Sequence, residues 1–271
     1  MAAEPNESPQ SDETSGGAID DDTLARELAT SAGAALLACR DRSPLSGKAL
    51  GRAGDAMSHQ LIVHTLRELA PNDAVLSEEG DRPSAEGAGS RRLWIVDPLD
   101  GTREYGEGRE DWAVHIALIV DGRPRASAVA LPSLGETHSS AHPETHSSPL
   151  GRPRIAVSRS RPPREAQATA ERLGAELVPM GSAGFKAMAV LRGDAEAYVH
   201  AGGQYAWDSA APAGVAKAAG LHVSRLDGSA LAYDDAAGDA WLPDLVICRP
   251  ELAVALLAVL ADVEPSESSR A

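Results

Sequence analysis

Six carboxylates in this 271-residue chain fall where a fold would gather them: Asp55, Glu78, Glu79, Asp97, Asp100 and Asp208. Asp55 follows a glycine-rich stretch and is placed at the start of a helix. Glu78 and Glu79 close a short strand. Asp97 and Asp100 bracket the end of the next strand, and Asp208 opens a later helix. Strand ends and helix starts share one rim of a sheet, so these acids are expected to converge. Hard oxygen ligands suit Mg2+, which binds through a few carboxylates and keeps room for water and phosphate oxygens. Asp97 and Asp100 stand three apart across a proline-fixed turn. Both can therefore face one ion cluster, with the Leu99 carbonyl turned in between them. Gly101 permits close backbone approach, and the amides of Gly101 and Thr102 can cradle a phosphate oxygen. Taken singly, Asp-Gly is a common turn and Glu-Glu is commonly solvated loop. Two acids placed directly after an all-apolar strand favour chemistry.

The elements that must position these acids are legible as alternating helices and strands. Leu24, Leu28, Ala32, Leu36 and Cys39 recur at helical spacing to about Arg40. A second helix is expected over 55–70, with Met57, Leu61, Leu66 and Leu69 on one face. Strands are expected at 74–77, 93–96, 112–120 and 125–131, the last two forming a hairpin about Asp121-Gly122. The polar run Gly80–Arg92 reads as a loop. Residues 133–153 are rich in Ser, His, Pro and Gly and read as a flexible linker between two subdomains, 20–132 and 154–264. His138, His142 and His146 recur every four residues there, but Gly135 and Pro143 oppose a helix, so the stretch reads as solvated loop. The second half is expected to hold strands at 155–158, 197–200 and 245–248, with helices at 161–173, 181–192, 207–219 and 250–263. This alternation argues for a layered α/β (α+β) architecture. Residues 1–19 read as a disordered acidic tail, and 265–271 as a second tail.

Three segments carry a family resemblance. Glu78-Glu79, then Trp94-Ile95-Val96-Asp97-Pro98-Leu99-Asp100-Gly101-Thr102, then Trp207-Asp208-Ser209-Ala210-Ala211, resemble in order the signatures of the inositol monophosphatase-like metal-dependent phosphatases. The likeness spans roughly residues 20–263. Within that family, Arg103-Glu104-Tyr105 after Thr102, the segment Gly181-Ser182-Ala183-Gly184-Phe185-Lys186, and the stretch His200 to Asp208 resemble 3'(2'),5'-bisphosphate nucleotidases of the actinobacterial CysQ type. The segment Leu50 to Asp55 departs from the usual pattern by lacking a threonine.

The resemblance implies a five-layer α-β-α-β-α sandwich and lithium-sensitive, Mg2+-dependent hydrolysis of small phosphate esters. It implies that Glu78, Asp97, Asp100, Asp208 and the Leu99 carbonyl hold two or three Mg2+ ions, with Asp55, Glu78 and Thr102 catalytic. Substrate would meet Glu78, Leu99, Asp100, Gly101, Thr102, Ser182 and Asp208. Lys186 and Arg225 are candidates for a second phosphate. Gln204 and Tyr205 are candidates for a base or sugar, and Trp94 and Trp207 for core support. The implied substrate is 3'-phosphoadenosine 5'-phosphate, a by-product of sulfate assimilation, and a homodimer is a common assembly in such a family. Inositol 1-phosphate or fructose 1,6-bisphosphate hydrolysis on the same site, or a catalytically silent phosphate-binding regulator, are the alternatives. A haloacid-dehalogenase-type site needs its acids two apart on one strand face, and here proline intervenes.

Composition excludes other classes. Lys and Arg total 25 against 40 Asp and Glu, a net charge of −15, so the chain cannot release counterions from a nucleic acid backbone. Four tryptophans, four tyrosines and one phenylalanine are too few for base-stacking platforms. No apolar run approaches the roughly 20 residues that span a bilayer, and no secretory signal is visible. Cys39 and Cys248 lie in no metal or redox motif and read as reduced thiols of a cytoplasmic protein.

Overall fold

A computed structural model describes residues 19–80, 91–144, 151–234 and 236–264. The two tails, most of the 80–92 loop and His146 lie outside these residues.

Two long helices open the chain, α1 (Asp21–Arg42) and α2 (Gly47–Leu69). Asp20 caps α1 through its side chain, and Asp21 and Asp22 occupy the first turn, where the macrodipole favours negative charge. A five-stranded sheet follows in spatial order β1-β2-β3-β4-β5: β1 (Ala74–Ser77), β2 (Arg92–Asp100), β3 (Ala113–Val120), β4 (Arg123–Leu131) and β5 (Glu136–Ser139). The short helix α3 (Thr102–Gly106) links β2 to β3. β1 and β2 are parallel, with Ser77 beside Val96, so both end on the same rim. The second half builds another five-stranded sheet, ordered β7-β6-β8-β10-β9. Its strands are β6 (Arg154–Ser158), β7 (Glu176–Met180), β8 (Ala197–Tyr205), β9 (His222–Ser224) and β10 (Trp241–Cys248). Helices α4 (Arg164–Leu173), α5 (Ala183–Arg192), α6 (Ala206–Ala218) and α7 (Pro250–Ala261) complete the described chain.

Strand alternation sorts these elements into five layers. In β2, Leu93 and Ile95 enter the core between the sheets, while Trp94 and Val96 enter the core under α1 and α2. In β10, Leu245 and Ile247 face the inter-sheet core, while Val246 and Cys248 face α4 and α7. α5 and α6 fill the middle layer with Ala187, Met188, Leu191, Ala210 and Val215. The order is helices, sheet, helices, sheet, helices, as the resemblance implies.

Three sequence expectations change. α2 begins at Gly47, not Asp55, so Asp55 lies in mid-helix. Gly47, Gly51 and Gly54 lower helix propensity and hide the start. Tertiary contact overrides propensity, because a side-chain carbon at Gly51 would meet Thr102 at 2.8 Å and one at Gly54 would meet Tyr105 at 2.8 Å. Second, the expected linker contributes β5, paired antiparallel with β4 from Leu131↔Glu136 to Ala128↔Ser139. Its polar composition is that of an edge strand, which resembles loop in sequence. His138 lies on that strand 3.1 Å from Glu136, not on a helix. Third, β7 and the three-residue β9 were not anticipated. Trp94 is fully buried, whereas Trp207 is half-buried and stacks on Tyr205 at 4.7 Å. Cys39 and Cys248 are both free, and burial pushes the Cys248 thiol up to about 12.

Candidate active site

The rim where β1 and β2 end gathers the acids. Carboxylate oxygens of Asp97, Asp100 and Asp208 lie within 4.8 Å of one another. The β2–β3 register breaks between Asp97 and Asp100, which lets the strand end turn inward. Asp97 Oδ1 accepts the Leu99 N–H at 3.1 Å, and Ser58 Oγ donates to the Pro98 carbonyl at 2.7 Å. Gly101 ends this turn at φ 91, in the left-handed region open to glycine. Glu78 follows β1 directly, and its N–H donates to the Val96 carbonyl at 3.3 Å. α2 presents Gly51, Gly54, Asp55 and Ser58 along one face, at helical spacing. Thr102 Oγ1 lies 3.3 Å from Asp55 Oδ2 and 3.1 Å from the Leu99 carbonyl.

Asp208 sits in the first turn of α6, where its Oδ2 accepts the Tyr205 N–H at 2.7 Å. The segment Gly181 to Lys186 arrives from the second sheet and supports Asp100. Ser182 Oγ donates to Asp100 Oδ2 at 2.5 Å, and the Gly184 N–H donates to the same oxygen at 2.8 Å. A side chain at Gly184 would place its first carbon 2.0 Å from His115 Nε2. Gly184 is therefore what lets the helix close on His115.

His115 is a site residue that the sequence reading missed. It is fully buried on β3, with Nε2 3.2 Å from Asp100 Oδ2 and Nδ1 3.0 Å from the Trp207 carbonyl. A carbonyl only accepts, so Nδ1 carries a proton. Burial opposes a charge on the ring, and the Asp100 carboxylate beside Nε2 outweighs it, so the ring titrates above its usual value. No motif surrounds His115, although a histidine inside the apolar run Val114-His115-Ile116 was a signal that could have been read. Glu79 is one of the acids that the sequence places on this rim. It stands close enough to Asp55 to raise that carboxyl.

The electrostatics are those of a cation site. Asp97 is 1% exposed, and burial, with Glu78 and Asp100 next, pushes it well above the usual carboxylate range. Glu78 keeps surface open to solvent. The protein around its carboxyl, then Asp208, Asp55, Asp100 and Glu79, raises it to about 8. Burial and then Glu79 raise Asp55 to about 7, against the Thr102 hydrogen bond. Burial and then Asp100 raise Asp208 to about 6. Burial would raise Asp100 as well, but His115, Lys186 and Ser182 hold it at about 2. Asp55 Oδ1 is buried without a partner. Like charges gathered under low exposure repel, and bound divalent cations reverse that cost. The donor set is all oxygen, which fits Mg2+.

Beside the acids lies a cavity of about 360 Å³ lined by Asp100, Ser182, Lys186, His200, Gln204 and Tyr205 among others. Lys186 is not a solvated lysine. It is 5% exposed, its Nζ donates to the carbonyls of Gly181 at 3.0 Å and Ser182 at 2.5 Å, and it lies 5.2 Å from the Tyr198 ring centroid. Burial lowers its pKa, and the charges of Asp100 and Asp208 oppose that shift. Lys186→Met strips both carbonyls of their donor. We expect it to lower stability by about 1–3 kcal/mol in chemical denaturation, and an unchanged midpoint would refute this supporting role. Arg225 shares a partner with the cavity-lining Gln204, the Asp244 carbonyl. It follows β9, its Nη1 donates to the Asp244 carbonyl at 2.9 Å, and it is not among the cavity-lining residues. Among the described residues, no helix is long and apolar enough to cross a membrane.

Fold and acidic rim together define a metal-dependent hydrolase of the five-layer sandwich class. The model of the inositol monophosphatase family matches residues 25–263, and the chain belongs to that family. It is 47% identical over 262 residues to the 3'-phosphoadenosine 5'-phosphate phosphatase of Mycobacterium leprae, covering 90% of this chain and 95% of that protein. It is 33% identical over 205 residues to the 3'(2'),5'-bisphosphate nucleotidase CysQ of Escherichia coli K12, covering 71% of this chain and 80% of that protein. Among solved structures, CysQ from Bacteroides thetaiotaomicron superposes with a TM-score of 0.69 at 25% identity, covering 83% of this chain and 96% of that one. An inositol monophosphatase from Anabaena shares the fold, with a TM-score of 0.72 at 21% identity over 89% of this chain and 95% of that one.

Proposed function

We propose that this protein is a cytoplasmic Mg2+-dependent phosphatase that converts 3'-phosphoadenosine 5'-phosphate to AMP and phosphate. The observation that carries the chemistry is the convergence of Asp97, Asp100 and Asp208 within 4.8 Å on a buried rim. The similarity to the mycobacterial phosphatase supports the substrate.

In this reading, Glu78, Asp97, Asp100, Asp208 and the Leu99 carbonyl hold two or three Mg2+ ions. When bound, the ions acidify a water and offset charge on the departing ester oxygen. The chain supplies the rest. Thr102 Oγ1 takes a proton from the attacking water and passes its own to Asp55 Oδ2. Threonine alone is a poor base, and a carboxyl held at about 7 is matched to that task. The amides of Gly101 and Thr102 steady a phosphate oxygen at the turn that ends β2. Lys186 contributes fixed positive charge beside the cavity, where a chain of net charge −15 would otherwise repel its substrate. Phosphoryl transfer asks for positioning and charge neutralisation more than covalent work.

The test is phosphate release with Mg2+, with and without lithium, from 3'-phosphoadenosine 5'-phosphate, inositol 1-phosphate and fructose 1,6-bisphosphate. The expected result is a kcat/KM at least about tenfold higher for the nucleotide, about 1.4 kcal/mol of transition-state preference, and inhibition by lithium. Preference for inositol 1-phosphate would keep the acidic site and reject the nucleotide.

A further inference from the structure

Alternate residues of a strand share a face. On β8 this places Tyr198 and His200 together; the register with β10 then shifts opposite Gly202 and Gly203, both at positive φ, so that Gln204 also lines the cavity beside Asp100 and Asp208. Gln204 is 6% exposed. Its Nε2 reaches toward the Asp244 carbonyl at 3.5 Å, the outer limit of a hydrogen bond. That carbonyl already accepts from Arg225 Nη1 at 2.9 Å. Gln204 Oε1 has no partner at all. Buried amide oxygens are rarely left so, because an unpaired acceptor forfeits the bond it would make to water. The amide is weakly held on one side and unsatisfied on the other. Its terminal torsion is soft, so it can turn toward a ligand in the cavity. An amide oxygen only accepts, so that ligand must bring an O–H or N–H.

Position narrows the donor. Tyr205 follows Gln204 directly, and its N–H is bonded to Asp208 Oδ2 at 2.7 Å. Gln204 lines the same cavity as Asp100 and Asp208, the acids that handle the phosphate. In a 3'-phosphorylated nucleoside the nearest donor to that phosphate is the hydroxyl on the adjoining ribose carbon, and the base edge lies farther off. We infer that Gln204 Oε1 accepts a hydrogen bond from the ribose 2'-hydroxyl next to the scissile phosphate, and so selects ribonucleotides over deoxyribonucleotides. This rests on the nucleotide reading above.

The experiment compares the full-length wild type with Gln204→Met, which keeps side-chain length and loses the acceptor. Substrates are 3'-phosphoadenosine 5'-phosphate, 2'-deoxyadenosine 3',5'-bisphosphate and inositol 1-phosphate, each with Mg2+. The wild type should favour the ribonucleotide over its deoxy analogue by roughly 10- to 100-fold in kcat/KM, and the variant should bring that ratio within about threefold of unity. A wild type that treats the two nucleotides alike, or a variant that keeps the wild-type ratio, overturns the inference. A wild type that favours inositol 1-phosphate over both nucleotides overturns the substrate reading instead, and the ribo-to-deoxy ratio still judges Gln204. Absence of hydrolysis of both nucleotides overturns both. If Gln204→Met fails to melt as a folded protein, Gln204→Ala carries the same comparison.

Discussion

Asp97→Asn should cost turnover about a thousandfold or more while the protein stays folded. Asn keeps the shape of the side chain, and its Oδ1 can still accept the Leu99 N–H that Asp97 accepts at 3.1 Å. The turn at the end of β2 should therefore survive. What is lost is a charge 1% exposed to solvent, within 4.8 Å of the Asp100 and Asp208 carboxylates. Lewis-acid assistance is worth several kcal/mol, and about 1.4 kcal/mol is tenfold in rate, so losing it reaches a thousandfold. A second expectation separates this loss from misfolding. Among the described residues no cationic side chain is bonded to Asp97, and its ionisation is opposed by burial and by Glu78 and Asp100. Without metal, at alkaline pH, the variant should melt at or above the wild-type temperature. A variant that melts well below it would show that Asp97 supports the fold more than the ions. Retained turnover would remove Asp97 from the metal site.

In EDTA, the melting temperature of the wild type should fall as pH rises from about 6 to about 8. Glu78 is raised to about 8, Asp55 to about 7 and Asp97 well above its usual value. A group whose folded pKa lies above its unfolded value stabilises the fold while protonated, and that stability is lost as pH rises through the folded pKa. His115 is also raised, so it acts in the same direction. Asp100 is held at about 2, so its contribution is complete above pH about 4 and adds no slope here. Added Mg2+ binds the ionised folded site and should restore the loss by mass action, with a benefit that grows with pH. The slope in EDTA should shrink in Asp97→Asn. A wild-type melting temperature that is flat or rising over this window would refute the picture of an acid cluster held together by cations. The readout is thermal melting, so it stands apart from any activity assay.

Much of the site was legible because its residues are local in sequence. Asp97, Leu99, Asp100, Gly101 and Thr102 come from one strand end, where an all-apolar run stops on acids. Local geometry carries that far. The partners of Asp100 do not come from there. They are His115 on β3, Ser182 and Gly184 before and within α5, and Lys186 one turn later. Pairing of β2 with β3 brings His115, and only the stacking of the first sheet on the middle helices brings the others. Asp55 shows the opposite failure. Three glycines hid its helix, because propensity counts their cost and cannot see the contacts with Thr102 and Tyr105 that require them.

The sequence by itself determined the strand order of the chemistry, the alternation that sorts five layers, and the oxygen-only donor set, because these depend on residue type and on periods of 2 and 3.6. Tertiary structure alone decided three things. It buried Lys186 against two carbonyls, set Arg225 on the Asp244 carbonyl that Gln204 also approaches, and turned a polar linker into the edge strand β5. Each is a question of what stands opposite a side chain or a backbone amide. Burial, pairing and the pKa values that follow from them are properties of neighbours far apart in the chain, and no local pattern encodes them.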